Sequence, residues 1–270
     1  IDHVLAESRS FPPAADFAAK AVFSTMDQYK TAYRRAAEDR DGFWQEEALE
    51  HLHWFEPFQE VCRWDAPKAE WFVGGKTNAS YNCLDRHIEA GRGDRTAIIW
   101  EGEPGDQRTL TYSDLRTEVA KCAAALQELG IGTGDVVSIY MPMTPELAIA
   151  MLACARIGAI HSVIFAGFGA GALADRIQAS GSRLVFTADV TFRKGAEVPL
   201  KGIVDSALEI AGEGVENVIV LNRTAEGAPM IEGRDIVWAD FLALGDGQSG
   251  EHVAMEANEP AYILATSGTT

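Results

Sequence analysis

Basic side chains are scarce in this sequence. The 270 residues carry 40 Asp and Glu against 23 Lys and Arg, which gives a formal net charge of −17. Nucleic acids and anionic membrane surfaces would repel such a chain at long range. We therefore expect neither as a partner, although a small anionic ligand stays compatible wherever basic residues cluster locally.

Long apolar runs are also missing. The most apolar stretches, such as 148–155 and 159–166, stay well below the ~20 residues needed to span a bilayer. Residues 1–21 lack the basic-then-apolar order of a signal peptide. The sequence therefore predicts neither a membrane span nor secretion.

Cysteines are few and scattered. They form no C-x-x-C pair and have no histidine nearby at a spacing that suits zinc; they are Cys62, Cys83, Cys122 and Cys154. We expect reduced thiols that mostly pack in the core, no metal-binding residues, and a cytoplasmic location.

Strands and helices alternate from about residue 96 onward. Hydrophobic residues make up 47% of the sequence, enough for a substantial core. The predicted strands are 96–100, 108–111, 136–141, 159–165, 184–187, 218–221 and 260–265. The predicted helices are 112–129, 145–157, one from about 173, 203–211 and 238–244. This order is typical of an α/β fold with a mixed or parallel sheet flanked by helices.

The region before residue 91 follows a different pattern. Two prolines and many alanines predict an extended lead-in over residues 1–25. A helical and irregular N-terminal arm is expected over residues 26–90, with helices at 26–38 and 42–52. The aromatic-rich stretch 53–75 has no clean period and is predicted to be irregular. Residues 91–270 then form the first part of the α/β domain.

The last predicted strand runs directly into the loop Thr266-Ser267-Gly268-Thr269-Thr270. Glycine lets the backbone turn with its N–H groups exposed, and adjacent hydroxyls donate to the same anion, so the loop is a candidate phosphate-binding loop. Its composition alone also fits an ordinary turn. No Walker A lysine is present, and no G-x-G-x-x-G follows a predicted strand, which disfavours a dinucleotide-dependent oxidoreductase.

Several motifs resemble a known enzyme family. Residues 262–270, Tyr-Ile-Leu-Ala-Thr-Ser-Gly-Thr-Thr, resemble the opening of the phosphate loop of the adenylate-forming (AMP-forming) acyl-CoA synthetases. Residues 71–76, Trp-Phe-Val-Gly-Gly-Lys, with Asn78 and residues 81–87, Tyr-Asn-Cys-Leu-Asp-Arg-His, are similar to a signature of the acetyl-CoA and propionyl-CoA synthetase branch. Further matches follow in the family's order, at 109–115, 141–142, 145–146 and 161–165.

The resemblance implies that the chain is the N-terminal portion of a longer enzyme. Such an enzyme activates a short-chain carboxylate, acetate or propionate, with ATP and Mg²⁺ to an acyl-adenylate, and transfers the acyl group to coenzyme A. The resemblance also assigns the β- and γ-phosphates of ATP to Thr266, Ser267, Gly268, Thr269 and Thr270. No catalytic residue is expected in these 270 residues, which alone should be inactive.

The same resemblance implies a coenzyme A site. In the acetyl-CoA synthetases a basic residue at the position of Arg193 contacts the phosphorylated nucleotide end of coenzyme A. Phe165, Ala166 and Gly167 match a turn that lines the same region. The family's second basic residue is replaced here by alanine, so Lys194 is a candidate substitute for that contact.

Two interpretations from different classes compete. The chain is either part of such an enzyme or a stand-alone nucleotide or coenzyme A binding module without catalysis, and its end inside the loop favours the enzyme. The polar cluster Asn82, Asp85, Arg86 and His87 is predicted to join the arm to the sheet rather than to catalyse. His161, at the entry of a buried strand, is predicted to be packed rather than to act as a general base.

Overall fold

Helices open the N-terminal part of the chain. The structure, a computed structural model, describes residues 9–266. The first helices are α1 Ala15–Ala18, α2 Met26–Glu38 and α3 Arg40–His51. A capping box starts α2, because the Thr25 hydroxyl accepts from the Gln28 N–H while the Gln28 side chain accepts from the Thr25 N–H. Both predicted helices of the arm are therefore present, and α1 lies in the segment predicted as an extended lead-in.

An antiparallel hairpin follows these helices. Strands β1 Glu60–Asp65 and β2 Lys68–Val73 pair along their whole length. The structure differs here from the irregular stretch predicted over 53–75. Because Trp71 and Phe72 are adjacent aromatic residues, the two-residue alternation of a strand is hidden in the sequence. The ring of Phe72 packs against Trp54 and Phe58, with ring centroids 5.5 and 5.0 Å away.

A short connecting region leads to the second hairpin. It contains β3 Lys76–Thr77, α4 Ala79–Cys83, α5 Asp85–His87, and a π-helical turn over Ile88–Arg92. Strands β4 Thr96–Glu101 and β5 Gln107–Thr111 then form the predicted hairpin. Helix α6 Tyr112–Glu128 starts at a capping box in which the Asp114 N–H donates to the Thr111 hydroxyl oxygen at 3.1 Å. The Thr-x-x-Asp spacing that forms this box is visible in the sequence, and the helix begins at residue 112, as predicted.

The main sheet occupies the rest of the chain. Its elements, in chain order, are β6 Val136–Tyr140, α7 Pro145–Ile157, β7 Ile160–Val163, α8 Ala170–Ser180, β8 Leu184–Ala188, β9 Val190–Arg193, β10 Ala196–Pro199, α9 Leu200–Ala211, β11 Asn217–Leu221, β12 Asp235–Val237, α10 Trp238–Leu244, β13 Met255–Glu256 and β14 Tyr262–Ile263. Within residues 9–266, six strands form one parallel sheet in the order β12–β11–β8–β6–β7–β14. The α/β prediction is confirmed.

Helices cover the sheet on both faces. Ile139, Phe186 and Ile219 point toward α6, α7 and α10 on one face. Val185 and Val218 point toward α8 and α9 on the other. Neighbouring residues of a strand face opposite sides, so the central strands, buried on both faces, are apolar at most positions, with Ser138 and Thr187 as buried polar exceptions. Each fully buried large side chain contributes about 1.5–3 kcal/mol.

Three elements differ from the predictions. The strand expected over 260–265 is paired only at Tyr262–Ile263, at the edge of the sheet. The hairpin formed by β9 and β10 was not predicted, because its central residues suggested a cluster of basic side chains and not a turn. Strand β12 was hidden in a stretch rich in glycine and acidic residues.

None of the helices within residues 9–266 has the length and apolar character that crossing a membrane requires.

A buried ion pair joins the N-terminal arm to the sheet. The guanidinium of Arg156, on α7, has no solvent exposure and donates to both carboxylate oxygens of Asp85, at 2.7 and 3.0 Å. Its Nε donates to the Gly250 carbonyl at 2.6 Å. Buried Asn78 donates through its amide to the carbonyls of Arg156 and Val253. These contacts tie the signature segment to α7 and to the loop before β13.

The remaining members of the predicted polar cluster also make structural contacts. The side chain of Asn82 accepts from the His53 N–H at 2.7 Å and donates to the Thr77 hydroxyl at 2.8 Å. Arg86 donates to the carbonyl of His51. His87 lies 2.7 Å, through Nδ1, from a guanidinium nitrogen of Arg92. Within the cluster, Asp85 therefore connects the arm to helix α7, and the other three residues bind within the arm or at its end.

We predict that Asp85→Ala destabilises the fold by about 3–5 kcal/mol, because it leaves the buried charge of Arg156 unpaired. Urea unfolding of the variant beside the unaltered protein measures the change. The control is Arg116→Ala, which removes the exposed second partner of the same carboxylate; its cost should stay below about 1 kcal/mol. Equal losses in the two variants would contradict the assigned role of the buried pair.

A pH dependence follows from the same carboxylate. Burial alone would raise the pKa of Asp85, but the hydrogen bonds and charge of Arg156, with a smaller effect from Arg116, hold it below 3.8. A depressed folded-state pKa adds stability above the unfolded-state value, and this stability is lost as the pH falls through the folded-state value. The stability difference between the unaltered protein and Asp85→Asn should therefore be constant above about pH 5 and shrink below pH 4. Urea unfolding at a series of pH values across this range tests the prediction. A stability difference that does not change with pH would refute it.

Candidate functional site

A cavity of about 860 Å³ lies at the carboxyl ends of three neighbouring strands. Residues that follow β6, β7 and β14 form most of its wall, and β9 and α8 close the side. The lining residues are Met141, Pro142, Met143, Leu147, Val163, Ile164, Phe165, Ala166, Gly167, Phe168, Arg176, Thr191, Phe192, Arg193, Leu264, Ala265 and Thr266. Ligands of open α/β sheets bind at this edge.

The structure brings together four of the five residues predicted to bind coenzyme A. Phe165, Ala166, Gly167 and Arg193 all line this one cavity, although Arg193 is distant in sequence from the other three. Lys194 is exposed and is not among the lining residues of this cavity. It occupies the tip of the hairpin formed by β9 and β10.

The geometry of that tip explains the position of Lys194. Arg193 pairs with Ala196, so Lys194 and Gly195 form a two-residue turn, with φ of 54° and 76°. Two left-handed residues in succession make a type I′ turn, which suits the twist of a hairpin. The turn carries Lys194 past the end of the strand, while Arg193 stays at the cavity.

The turn after β7 is held by its backbone and by Tyr140. The hydroxyl of Tyr140 donates to the Phe168 carbonyl at 2.6 Å. Burial raises the pKa of this phenol, which keeps the proton on the donor. A Cβ on Gly167 would lie 2.3 Å from a ring carbon of Phe165, so a larger residue would force that ring to move. The position of the exposed Phe165 ring therefore depends on the absence of a side chain at Gly167.

Arg176 is a second cation of the cavity that the sequence analysis missed. Its guanidinium lies 4.5 Å from the centroid of the Phe168 ring, and Nη1 donates to the Ala172 carbonyl at 2.7 Å. The sequence signal that could have identified Arg176 is its position, about two turns into the helix that follows the glycine-rich turn. Two arginines in a largely apolar cavity suit a ligand with an apolar body and phosphate groups.

The phosphate-loop prediction falls mostly outside the described residues. Leu264, Ala265 and Thr266 line the cavity. The other predicted members of the loop, Ser267, Gly268, Thr269 and Thr270, lie outside residues 9–266. The described residues therefore include only the start of the loop, and this start lines the same cavity as Arg193.

His161 lies on β7, behind the cavity wall. Its ring stacks on Tyr262 of β14 with centroids 5.8 Å apart. Burial lowers the pKa of this imidazole, so the neutral ring is favoured. Its Nδ1 is buried and has no hydrogen-bond partner within residues 9–266. These contacts are those of a packed side chain. Across the same residues, no group of three or more His, Cys, Asp or Glu side chains is arranged to hold a metal ion.

Comparison with known families divides the chain into two parts. The sequence model described as AMP-binding enzyme matches residues 84–270. The model described as acetyl-coenzyme A synthetase N-terminus matches residues 29–83.

Curated proteins named acetyl-coenzyme A synthetase are similar to the chain over nearly all of its length. The protein from Rhodopirellula baltica is 59% identical over 278 residues, which cover 100% of this chain and 41% of that protein. The protein from Rubrobacter xylanophilus is 49% identical over 98% of this chain and 40% of its own length. The protein from Streptomyces avermitilis is 49% identical over 99% and 40% respectively. The chain spans about two fifths of the length of these relatives.

The geometry agrees with the family match, because the cavity lies at the carboxyl edge of a parallel sheet and its wall leads into a loop rich in Gly, Ser and Thr. Since the AMP-binding model covers most of the sequence and the second model covers the arm in front of it, this chain belongs to the AMP-binding enzyme family and carries the N-terminal region of the acetyl-coenzyme A synthetase branch.

Proposed function

We propose that the protein containing this chain activates acetate with ATP, releases pyrophosphate, and transfers the acetyl group from the adenylate to coenzyme A. One observation carries the proposal: a single cavity is lined by Arg193, by the turn at 165–167, and by the approach to the phosphate loop. The names of the relatives support acetate over propionate or another short acid. The chain supplies one wall of the site, and the rest belongs to other parts of the enzyme.

The ATP phosphates are assigned to the loop at 266–270. A carboxylate that attacks a phosphate ester meets strong charge repulsion, so donors must be in place before the reaction. The hydroxyls of Thr266, Ser267, Thr269 and Thr270, and the backbone at Gly268, would hold the β- and γ-phosphates. Mg²⁺, when bound, would neutralise the departing oxygens. We assign no metal ligand and no nucleophile to this chain.

Coenzyme A is assigned to the part of the cavity lined by Arg193, Arg176 and the turn at 165–167. Arg193 and Arg176 would hold phosphates of its nucleotide end, because a guanidinium can donate two parallel hydrogen bonds to a phosphate. The backbone turn at Phe165, Ala166 and Gly167 would lie along the ligand. Lys194 would add an exposed cation at the tip of the hairpin. The strongly acidic remainder of the protein makes such local basic groups necessary for binding an anion.

The cytoplasm is the proposed location. All four cysteines are free thiols, and three of them, Cys62, Cys122 and Cys154, are buried. Burial raises the pKa of Cys154 to about 12, so this thiol is not a reactive thiolate. Free, buried thiols are typical of a reducing compartment.

We predict that Arg193→Ala, in the full-length enzyme, raises the KM for coenzyme A about tenfold, equivalent to ~1.4 kcal/mol of lost binding. Acetate-dependent exchange between ATP and pyrophosphate should stay unchanged, because that half-reaction occurs without coenzyme A. Arg63→Ala, which removes an exposed arginine of β1, is the matched control. A comparable fall in exchange would show that Arg193 does not act at the coenzyme A site. The absence of any exchange in the unaltered protein would instead favour a non-catalytic binding module.

Arg176 gives a separate prediction. Arg176→Met keeps the apolar stem over Phe168 but removes the charge, so coenzyme A should lose affinity by roughly threefold to tenfold. Steady-state kinetics with coenzyme A and with dephospho-coenzyme A measure which phosphate is involved. If the lost contact is the ribose phosphate, the variant should discriminate less between the two thiols. Unchanged KM values for both would remove Arg176 from the site.

A further inference from the structure

The hairpin of β9 and β10, which carries Arg193, lies outside the main sheet. Strands β9 and β10 pair only with each other in the sheets formed within residues 9–266. An isolated two-stranded hairpin is marginally stable in water. A mobile hairpin would have to be ordered each time a ligand binds, which costs affinity. Something else must therefore hold Arg193 at the cavity.

The loop between β4 and β5 contacts the tip of this hairpin. The Gly195 N–H, in the two-residue turn beside Arg193, donates to a carboxylate oxygen of Glu103 at 2.5 Å. Glu103 is 92 residues away in sequence and belongs to the second hairpin of the fold. The exposed carboxylate of Glu103 thus holds the turn next to Arg193, the proposed phosphate-binding residue.

Arg223 joins the same two hairpins through its side chain. Its guanidinium lies between two aromatic rings, 4.9 Å from the centroid of Phe192 on β9 and 5.6 Å from that of Trp100 on β4. It forms an ion pair with Asp106, in the loop between β4 and β5, at 3.5 Å. The Arg223 side chain is only 10% exposed. A cation between two ring faces, with a carboxylate at one edge, suits the planar guanidinium.

The other end of the hairpin is fixed by Asp189. This residue is 2% exposed, and its carboxylate accepts from the N–H groups of Val190, Arg223 and Thr224 and from the Thr224 hydroxyl, at 2.6–2.9 Å. The backbone that carries Arg223 is therefore tied by hydrogen bonds to the start of β9. The Arg223 side chain contacts Phe192 from this fixed attachment point.

We propose that Glu103, Asp106, Arg223 and Trp100 form a clamp that positions Arg193 for coenzyme A, an inference that rests on the proposed function. The clamp reaches the cavity wall at two points without lining the cavity itself. Phe192, under Arg223, lines it, and so does Met143, whose carbonyl accepts from the Trp100 indole N–H at 2.7 Å. The four clamp residues are positioning residues and do not contact the reacting atoms.

The test separates positioning from general stability. Glu103→Ala and Arg223→Met, in the full-length enzyme, should each raise the KM for coenzyme A by roughly threefold to tenfold, because Arg193 is less well ordered before binding. Exchange between ATP and pyrophosphate should stay within about twofold, since the loss is confined to the ordering of one ligand contact. Glu103→Gln keeps the acceptor for Gly195 and should restore most of the affinity. Glu101→Ala is the matched control, because this exposed carboxylate of the same hairpin makes no hydrogen bond or ion pair within residues 9–266.

A double variant tests whether the clamp acts through Arg193. In the Arg193→Ala background, Glu103→Ala should have no further effect on the KM for coenzyme A, because the group it positions is gone. Additive effects would overturn the proposal, as would a fall in exchange that parallels the loss of coenzyme A affinity. If Arg193→Ala acts as predicted but the clamp variants leave the KM unchanged, the clamp is wrong and the proposed function stands. If Arg193→Ala itself has no effect, the coenzyme A assignment of Arg193 fails and the clamp fails with it, whereas acetate-dependent exchange in the unaltered protein still tests the proposed reaction.

Discussion

Parallel pairing of β6, β7 and β14 is the constraint on which the candidate site depends. Parallel strands cannot be joined by a tight turn, so each one needs a crossover, and all their carboxyl ends meet at one edge of the sheet. In the sheet, His161 of β7 lies between Tyr262 of β14 on one side and Val137 of β6 on the other. Segments separated by more than a hundred residues therefore converge, and the residues after each strand become the wall of one cavity.

Charge in this protein is arranged at two levels. The net charge of −17 gives a surface that attracts few anions, whereas the cavity collects two arginines on β9 and α8. Buried acidic groups are used elsewhere to hold the framework. Asp85 fixes Arg156 between the arm and the sheet, and Asp189 fixes the base of the exposed hairpin. Since each buried carboxylate is paired with a cation or several N–H groups, its desolvation is offset.

Local signals in the sequence were reliable for elements whose caps or apolar pattern stand out within one segment. Helix α6 follows from the capping box at Thr111 and Asp114, and α10 is found at the predicted residues. The buried strands followed from short β-branched and apolar runs. The hairpin at Glu60–Val73 was missed, because adjacent aromatic residues hide the alternation that defines a strand. The short pairing of β14 also lay beyond local reasoning, since an edge strand is defined by its neighbour.

The sequence by itself determined the α/β class, the family resemblance and the identity of Arg193 and residues 165–167 as site candidates. Residue type and spacing are sufficient for the α/β class, because they reflect propensity within one segment, whereas the site candidates are what the motif resemblance to the acyl-CoA synthetases implies. Only the tertiary structure decided that these residues share a cavity, that Arg176 joins them while Lys194 stays at the hairpin tip, and that Glu103 and Arg223 contact the hairpin. Those facts depend on which strands pair and in which direction the chain crosses over, and contacts across such distances leave no local pattern in the sequence.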